Sequence, residues 1–177
     1  MTGKYLLYGT LAAGLTLFVW QTISNVAIPW HTATMTEFSN KDAVVQAVHA
    51  GAPKNGVYFS EQGILAAVSF TPDMADKTKI SMTPNLSKQL VIDLVAALIL
   101  CVLVARVGVR RKRDTAMQLA LAALAALVIR ELSDWNWYGF GASYAVVNII
   151  DVTISFALAG AVIAWVHKKQ VGSAAIT

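Results

Sequence analysis

The sequence predicts a mainly α-helical membrane protein: a four-transmembrane-helix bundle with a small α/β extracytoplasmic insertion between spans one and two. Three observations carry this prediction. The chain of 177 residues is 56% hydrophobic and only 14% charged, whereas soluble domains contain about 25% charged residues. Its apolar residues fall in four blocks, and its basic residues cluster at block ends that four crossings would place on one side. The long segment between the first two blocks has helix and strand patterns.

Each apolar block is long enough to cross a bilayer, which takes roughly 17–25 mostly apolar residues. The four blocks cover residues 5–24, 90–109, 116–132 and 144–166. The predicted organisation is a first transmembrane helix in 1–24, an insertion in 25–89, three further transmembrane helices in 90–166 and a cytoplasmic tail in 167–177. We expect the first helix to stay uncleaved, because only Lys4 provides a positive charge before it and no small-x-small cleavage site follows.

Basic residues predict the side that each segment faces. Lys4 precedes the first block, five basic residues crowd the segment 106–113, and Lys168 with Lys169 follow the fourth block. Short basic segments stay in the cytoplasm, so both termini are predicted to be cytoplasmic and 25–89 to lie outside. An anionic-lipid or nucleic-acid patch is the alternative for 106–113. Because topology accounts for these charges, no nucleic-acid partner is expected, and the bilayer itself is the first partner.

The insertion has the pattern of a small folded unit. Ser39 or Asn40 can cap a helix that begins at Lys41 and stops near Gly51. Pro84 fits the first turn of the helix that becomes span two. Strands are predicted in residues 56–60, 64–70 and 78–82. One helix on two or three short strands is too small to be stable alone, so we expect it to pack on the membrane domain or on a partner.

Several kinds of chemistry have no residues to support them. Cys101 is the single cysteine, which excludes an intramolecular disulfide, a Cys-x-x-Cys redox centre and a Cys-x-x-Cys-His haem attachment site. No histidine lies inside a span, so two histidines cannot ligate a haem within the bundle. A metal bound by His31, His49 and a carboxylate has no supporting spacing. Phosphate-binding-loop, Gly-x-Ser-x-Gly and His-Glu-x-x-His motifs are missing from the sequence. No cofactor and no metal site are expected.

Charged residues in or beside the apolar blocks form the candidate site. Ionisable groups at membrane depth are costly, so they are usually paired or functional. The charged members at one predicted membrane face are Asp93, Arg130, Glu131, Asp134 and Asp151. On span four, Tyr144 and Asn148 precede Asp151 at spacings that put all three on one helical face. These seven residues are predicted to bind, and none is assigned a catalytic role.

Two interpretations of this cluster stay open. In the first, Arg130 bridges Asp93 and Asp151 as a structural clamp that fixes the register of three helices. In the second, the cluster is a binding pocket or proton-handling site in the outer leaflet, where paired carboxylates suit acid/base chemistry. Asp134 follows Arg130 by four residues, which is a pairing distance on a helix. Arg130 is the only nearby cation, so at least one carboxylate is expected to be protonated.

Two short stretches resemble a known family. Residues 27–31 (Ala-Ile-Pro-Trp-His) and 134–140 (Asp-Trp-Asn-Trp-Tyr-Gly-Phe) resemble an uncharacterised family of small four-span bacterial inner-membrane proteins. The likeness covers most of the chain in layout and is specific in these two stretches. It implies a bacterial inner membrane and adds no chemistry.

The function expected from the sequence is that of a non-enzymatic membrane accessory subunit that docks on a larger membrane complex. Its partner would be another membrane protein or further copies of the chain. The alternative is an outer-leaflet lipid or small-molecule binding protein, or a membrane enzyme, that uses Asp93, Arg130, Glu131 and Asp151. Channel or transporter activity is disfavoured, because the sequence has no internal repeat and no broken helix.

Overall fold

The structure of the chain is a computed structural model that describes residues 3–69, 83–108 and 111–174. Within these ranges it contains five α-helices and one two-stranded sheet. The helices are α1 (Gly3–Thr22), α2 (Lys41–Gly51), α3 (Thr83–Val107), α4 (Lys112–Tyr138) and α5 (Ala142–Ala174), and the strands are β1 (Gly56–Ser60) and β2 (Ile64–Val68). Two compact units result: a helical unit of 1–34 with 84–177, and an insertion unit of Met35–Thr83.

The mainly helical fold with four apolar helices is confirmed. Four segments are long and apolar enough to cross a membrane: Gly3–Ala27, Pro84–Val107, Lys112–Tyr138 and Ala142–Gln170. Helix α4 runs to Tyr138, beyond residue 132, where the third apolar block ends. Trp135 and Trp137 are therefore part of the helix. It ends at Gly139, whose left-handed φ of 72° lets its N–H bond to the carbonyl of Asp134. Helix α5 likewise continues into the predicted tail.

Helix α1 shows why the helical unit suits a membrane. Its buried face repeats every four residues at Tyr5, Gly9, Ala13 and Leu17. Its exposed face repeats at Leu7, Leu11, Leu15 and Val19. A helix at the surface of a soluble protein would carry polar side chains on that exposed face. Apolar residues on both faces match a helix that packs on protein with one side and on lipid with the other.

Small residues let the helices of the helical unit approach closely. A Cβ atom added at Gly14 would lie 2.7 Å from a side-chain carbon of Leu94 on α3. At Gly160 it would lie 2.9 Å from the Cα atom of Ala116 on α4. Helices in lipid associate through such close contacts, because burying apolar surface gains little there. The core they enclose draws on α1, α3, α4 and α5, with Leu17, Ala97, Leu119 and Ile163 among its buried residues.

The insertion unit contains the predicted helix and hairpin. Asn40 caps α2, because its side chain accepts a hydrogen bond of 3.1 Å from the N–H of Ala43. Strands β1 and β2 pair antiparallel through a turn in which Gly63 has a φ of 89°. Strand β2 ends at Val68, two residues before the predicted end. The third strand predicted at 78–82 lies outside the described residues.

The close approach of α4 and α5 gives a first prediction. Gly160→Ala should lower the thermal stability of the detergent-purified protein, because the new methyl group overlaps the backbone of Ala116 and the helices must separate. Overpacking of this kind costs about 1–3 kcal/mol. Gly3→Ala is the matched control, since no atom lies within 4 Å of a Cβ added there. Equal melting temperatures for the two variants would contradict the packing.

Candidate functional site

The candidate site begins where α1 ends. After Thr22 the helix widens into a π-helical turn, Ile23–Ala27, and the N–H of Ile28 closes it on the carbonyl of Ile23 at 3.2 Å. Single π-helical turns of this kind are rare in proteins, but those that occur are often found at functional sites. The side chain of Ser24 in this turn is fully buried. The turn ends at an extended residue, so the chain can leave the helix axis there.

The chain then folds back onto the end of α1. Trp30 donates its indole N–H to Ser24, with the hydroxyl oxygen at 3.0 Å and the carbonyl oxygen at 3.1 Å. A turn closes behind it, where the N–H of Ala33 reaches the carbonyl of Pro29 at 3.0 Å. The rings of Trp30 and His31 meet edge to face. This reversal brings His31, which lies beyond the helix in sequence, to the same level as Ser24.

Asp151 on α5 receives the side chains that this reversal presents. Its Oδ1 atom accepts a hydrogen bond of 2.7 Å from the indole N–H of Trp20 on α1. Its Oδ2 atom lies 3.1 Å from Nε2 of His31. Both oxygens of a buried carboxylate therefore have partners, as the cost of burying a charge requires. The bonds join α1, the loop after α1 and α5 at one end of the helical unit.

The serine, histidine and aspartate at this site do not form a catalytic relay. Nε2 of His31 lies 3.1 Å from Asp151 and 3.2 Å from the hydroxyl of Ser24. A nucleophilic triad needs one ring nitrogen for the serine and the other for the carboxylate. Here a single nitrogen contacts both, and Ser24 is closed off from any substrate by burial. The arrangement can hold the loop in place, but it cannot pass a proton from Ser24 through the ring to Asp151.

A second polar cluster joins α1 to α3. Asp93 on α3 is buried, and its Oδ1 atom accepts a hydrogen bond of 3.0 Å from the side-chain amide of Gln89. The same amide nitrogen donates to Oε1 of Gln21 on α1 at 2.8 Å. Gln21 and Gln89 are half-buried. Asp93 therefore lies one helical turn beneath a pair of amide side chains.

A third cluster joins α4 to α5. The side-chain amide of Asn148 donates a hydrogen bond of 3.1 Å to Glu131, which is buried at the end of α4. Tyr144, one turn before Asn148 on α5, is half-buried and stacks on Phe140. Asn148 and Asp151 share α5, yet they bond to different neighbouring helices. The predicted site residues are thus divided among three clusters and a separate ion pair on α4, and they do not form one pocket.

The prediction that Arg130 bridges Asp93 and Asp151 is wrong. The side chain of Arg130 is 76% exposed, and its ion pair is with Asp134 on the same helix, at 3.9 Å. The pairing of residues 130 and 134 follows from their spacing of four. Asp93 and Asp151 take their partners from α1, α3 and the loop after α1 instead. The long, flexible Arg130 side chain keeps its charge at the surface.

Sequence reasoning missed the groups that bind the two buried aspartates. Trp20 and Trp30 match the pattern of an aromatic belt at the membrane interface, yet both indole N–H groups bond within the helical unit. His31 has no spacing that relates it to Asp151. Gln89 could have been found, because it precedes Asp93 by four residues. In the ranges that the structure describes, no group of three metal-binding side chains could hold a metal ion.

No family model, no curated protein and no solved structure matches this chain. The resemblance of residues 27–31 and 134–140 to a family of inner-membrane proteins therefore stays a prediction. The first of these stretches contains Trp30 and His31, and the second contains Asp134, which pairs with Arg130. The function has to be argued from the geometry of the chain itself.

The paired carboxylate of Asp151 gives a second prediction. Asp151→Ala should lower the free energy of unfolding by about 1–3 kcal/mol for each partner, because the partly buried Trp20 and His31 side chains lose their hydrogen bonds. Arg130→Ala is the control, since an exposed i,i+4 ion pair contributes about 0–1 kcal/mol. Denaturant unfolding in mixed micelles measures both.

A double-mutant cycle tests the same contact more directly. His31→Leu and Asp151→Leu should each destabilise the protein, and their combination should cost less than the sum of the two. Additive losses would show that His31 and Asp151 do not interact. If Arg130→Ala lowered the free energy of unfolding as much as Asp151→Ala does, that result would support the predicted bridge from Arg130 to the buried aspartates and contradict the structure.

Proposed function

We propose that this chain is a non-enzymatic accessory subunit of a larger assembly in the bacterial inner membrane, and that its insertion unit binds a partner membrane protein. The supporting observation is an apolar face on the β-hairpin. Val57 and Phe59 are 73% and 78% exposed. Phe59 lies opposite Leu65 and Val57 opposite Ala67 in the antiparallel register, and alternate residues of a strand share a face. These four side chains define what we call the hairpin face.

The hairpin face has no covering element among the described residues. The alternate side chains Tyr58, Ala66 and Val68 are partly buried. The groove between α2 and the end of β2 is also apolar, with Phe38, Val44, Val45, Val48 and Val68 among its lining residues. A folded unit as small as this one buries too little apolar surface to be more than marginally stable in water. Exposed apolar patches of this kind are typical of interaction sites, which supports a protein partner for the insertion unit.

The geometry of the polar clusters supports a non-enzymatic role. Both oxygens of Asp151 bond to side chains of the same chain, and Ser24 is buried with its hydroxyl bonded to Trp30. Glu131 is held by Asn148. A catalytic group has to reach its substrate, whereas these groups reach one another. Mutual bonding is the pattern of polar residues that fix helix positions in a bundle.

The proposal also assigns the side of the membrane that each segment faces. Four crossings put both termini on one side, and we propose that this side is the cytoplasm and that residues 25–89 are periplasmic. Support comes from Lys4, the basic segment 106–113, and Lys168 with Lys169, because short basic segments are retained inside. The partner surface of the insertion unit would then face the periplasm.

The sidedness gives a third prediction. In a Cys101→Ala background, a membrane-impermeant maleimide added to spheroplasts should label Gln62→Cys and leave Lys112→Cys unlabelled until the membrane is opened. Gln62 is exposed in the hairpin turn and Lys112 is exposed at the start of α4. Labelling of Lys112→Cys alone in closed spheroplasts would invert the topology.

The hairpin face gives a fourth prediction, which tests the partner. A photo-crosslinking amino acid at position 59 should join the chain to one other membrane protein in intact cells, and that protein should co-purify in mild detergent at a fixed ratio. Phe59→Ser, in a chain without the crosslinking amino acid, should abolish the co-purification. Gln62 is the matched control, because it is exposed on the same hairpin and is polar; Gln62→Ser should leave co-purification unchanged.

Three other results would contradict this partner. Crosslinks from position 59 to lipid alone would mean that the hairpin face inserts into the membrane interface. Crosslinks to a second copy of the chain would make the protein a homo-oligomer. If co-purification survived Phe59→Ser, the partner would bind to a surface other than the hairpin face.

A further inference from the structure

Among the described residues of the helical unit, Asp93 differs from the other carboxylates in having a buried oxygen without a hydrogen-bond partner. It is 1% exposed and lies on α3 directly before Leu94, which packs on Gly14 of α1. Within the described part of the chain, ion pairs use other carboxylates, including Asp134 and Asp151, and none involves Asp93. Asp93 thus has no counter-ion there.

The hydrogen bonds of Asp93 are also incomplete. Its Oδ1 atom accepts from Gln89, but Oδ2 is buried and has no hydrogen-bond partner among the described residues. An ionised carboxylate has about four lone-pair sites to satisfy, and an uncompensated buried charge is far costlier than an unpaired neutral group. Asp151, by contrast, has a side-chain nitrogen within hydrogen-bond distance of each oxygen.

We propose that Asp93 is a proton-binding site: its carboxyl group is neutral in the folded helical unit, and its proton exchanges with water past Gln21 and Gln89. In the neutral form Oδ1 is a carbonyl oxygen, which accepts the bond from the amide of Gln89. Oδ2 carries the proton, and its neutral O–H group then lacks an acceptor among the described residues, which costs less than an unpaired charge at the same place. This inference does not depend on the partner of the insertion unit.

The two glutamine side chains provide the route for exchange. Gln89 donates to both Asp93 and Gln21, and both glutamines are half-buried. Both bonds are donated by the amide nitrogen of Gln89 and neither involves Oδ2, so the proton exchanges with water that enters beside these half-buried side chains and not along the bonds. A metal cation fits the site less well. Hard cations take six or more oxygen ligands, whereas this cluster offers one carboxylate and amide oxygens of which Oε1 of Gln21 is already bonded.

Infrared spectroscopy of the purified protein tests the proposal, because a protonated carboxyl group has a carbonyl stretching band above the amide I band. The band should be present in the wild-type protein at neutral pH and absent from Asp93→Asn. It should remain in Glu131→Gln, the matched control for another buried carboxyl. In D₂O the band should shift to lower wavenumber, and Gln89→Leu should slow that shift.

Thermal unfolding gives a second, independent measure. Asp93→Asn should retain the wild-type melting temperature, because an amide has nearly the size of the neutral acid and can accept the bond from Gln89. Asp151→Asn should lower it, because an amide presents one acceptor where Trp20 and His31 use two. Failure of Asp93→Asn to fold would contradict the proposal, since the neutral group would then not suffice.

Each of the remaining outcomes would contradict a part of the proposal. A wild-type spectrum without the band, or a band that persists in Asp93→Asn, would overturn the assignment of the proton to Asp93. A missing band together with a melting temperature that rises with sodium chloride but not with choline chloride would assign the site to a metal cation. A band that never shifts in D₂O would overturn the exchange route.

Discussion

The buried carboxylate of Asp151 is the constraint on which the polar end of the helical unit depends. A carboxyl group at that depth needs partners, and it has two, Trp20 and His31. Trp20 is on the helix, but His31 lies beyond it, so the bond requires the chain to turn back after α1. The π-helical turn Ile23–Ala27 and the bond from Trp30 to Ser24 accomplish that reversal. The position of the loop therefore follows from the contacts that the Asp151 side chain on α5 makes with Trp20 and His31.

Helix α1 separates the two buried aspartates. Trp20 and Gln21 are consecutive, so their side chains leave the helix about 100° apart; Trp20 bonds to Asp151 on α5 and Gln21 to the amide beside Asp93 on α3. In the described part of the chain, no ion pair joins one cation to both carboxylates. The two sites consequently differ in character: one is fully bonded with a histidine beside it, and the other has amide neighbours and a free oxygen. That difference underlies the contrast between a structural carboxylate and a proton-binding one.

Much of the fold was predictable because its determinants are local. Apolar length fixes the four long helices, the Asn40 side chain fixes the start of α2, and the spacing of four residues gives the pair of Arg130 with Asp134. The contacts of Asp151 were not predictable, because they depend on the rotation of two helices and on the path of a loop between positions 20, 31 and 151. Tryptophan adds to the difficulty, since an indole suits both the membrane interface and a buried hydrogen bond.

Apolar exposure has different meanings in the two units, and the proposed function rests on that distinction. Exposed residues such as Leu7 and Leu11 belong to a helix long enough to span a bilayer, so lipid accounts for them. Phe59 and Val57 are at least as exposed, but they lie in a hairpin outside every candidate span. Lipid chains do not account for side chains placed there unless the hairpin enters the interface. A protein partner, as proposed, would cover the hairpin face without that requirement, and it would add apolar contacts to a unit too small to bury much surface alone.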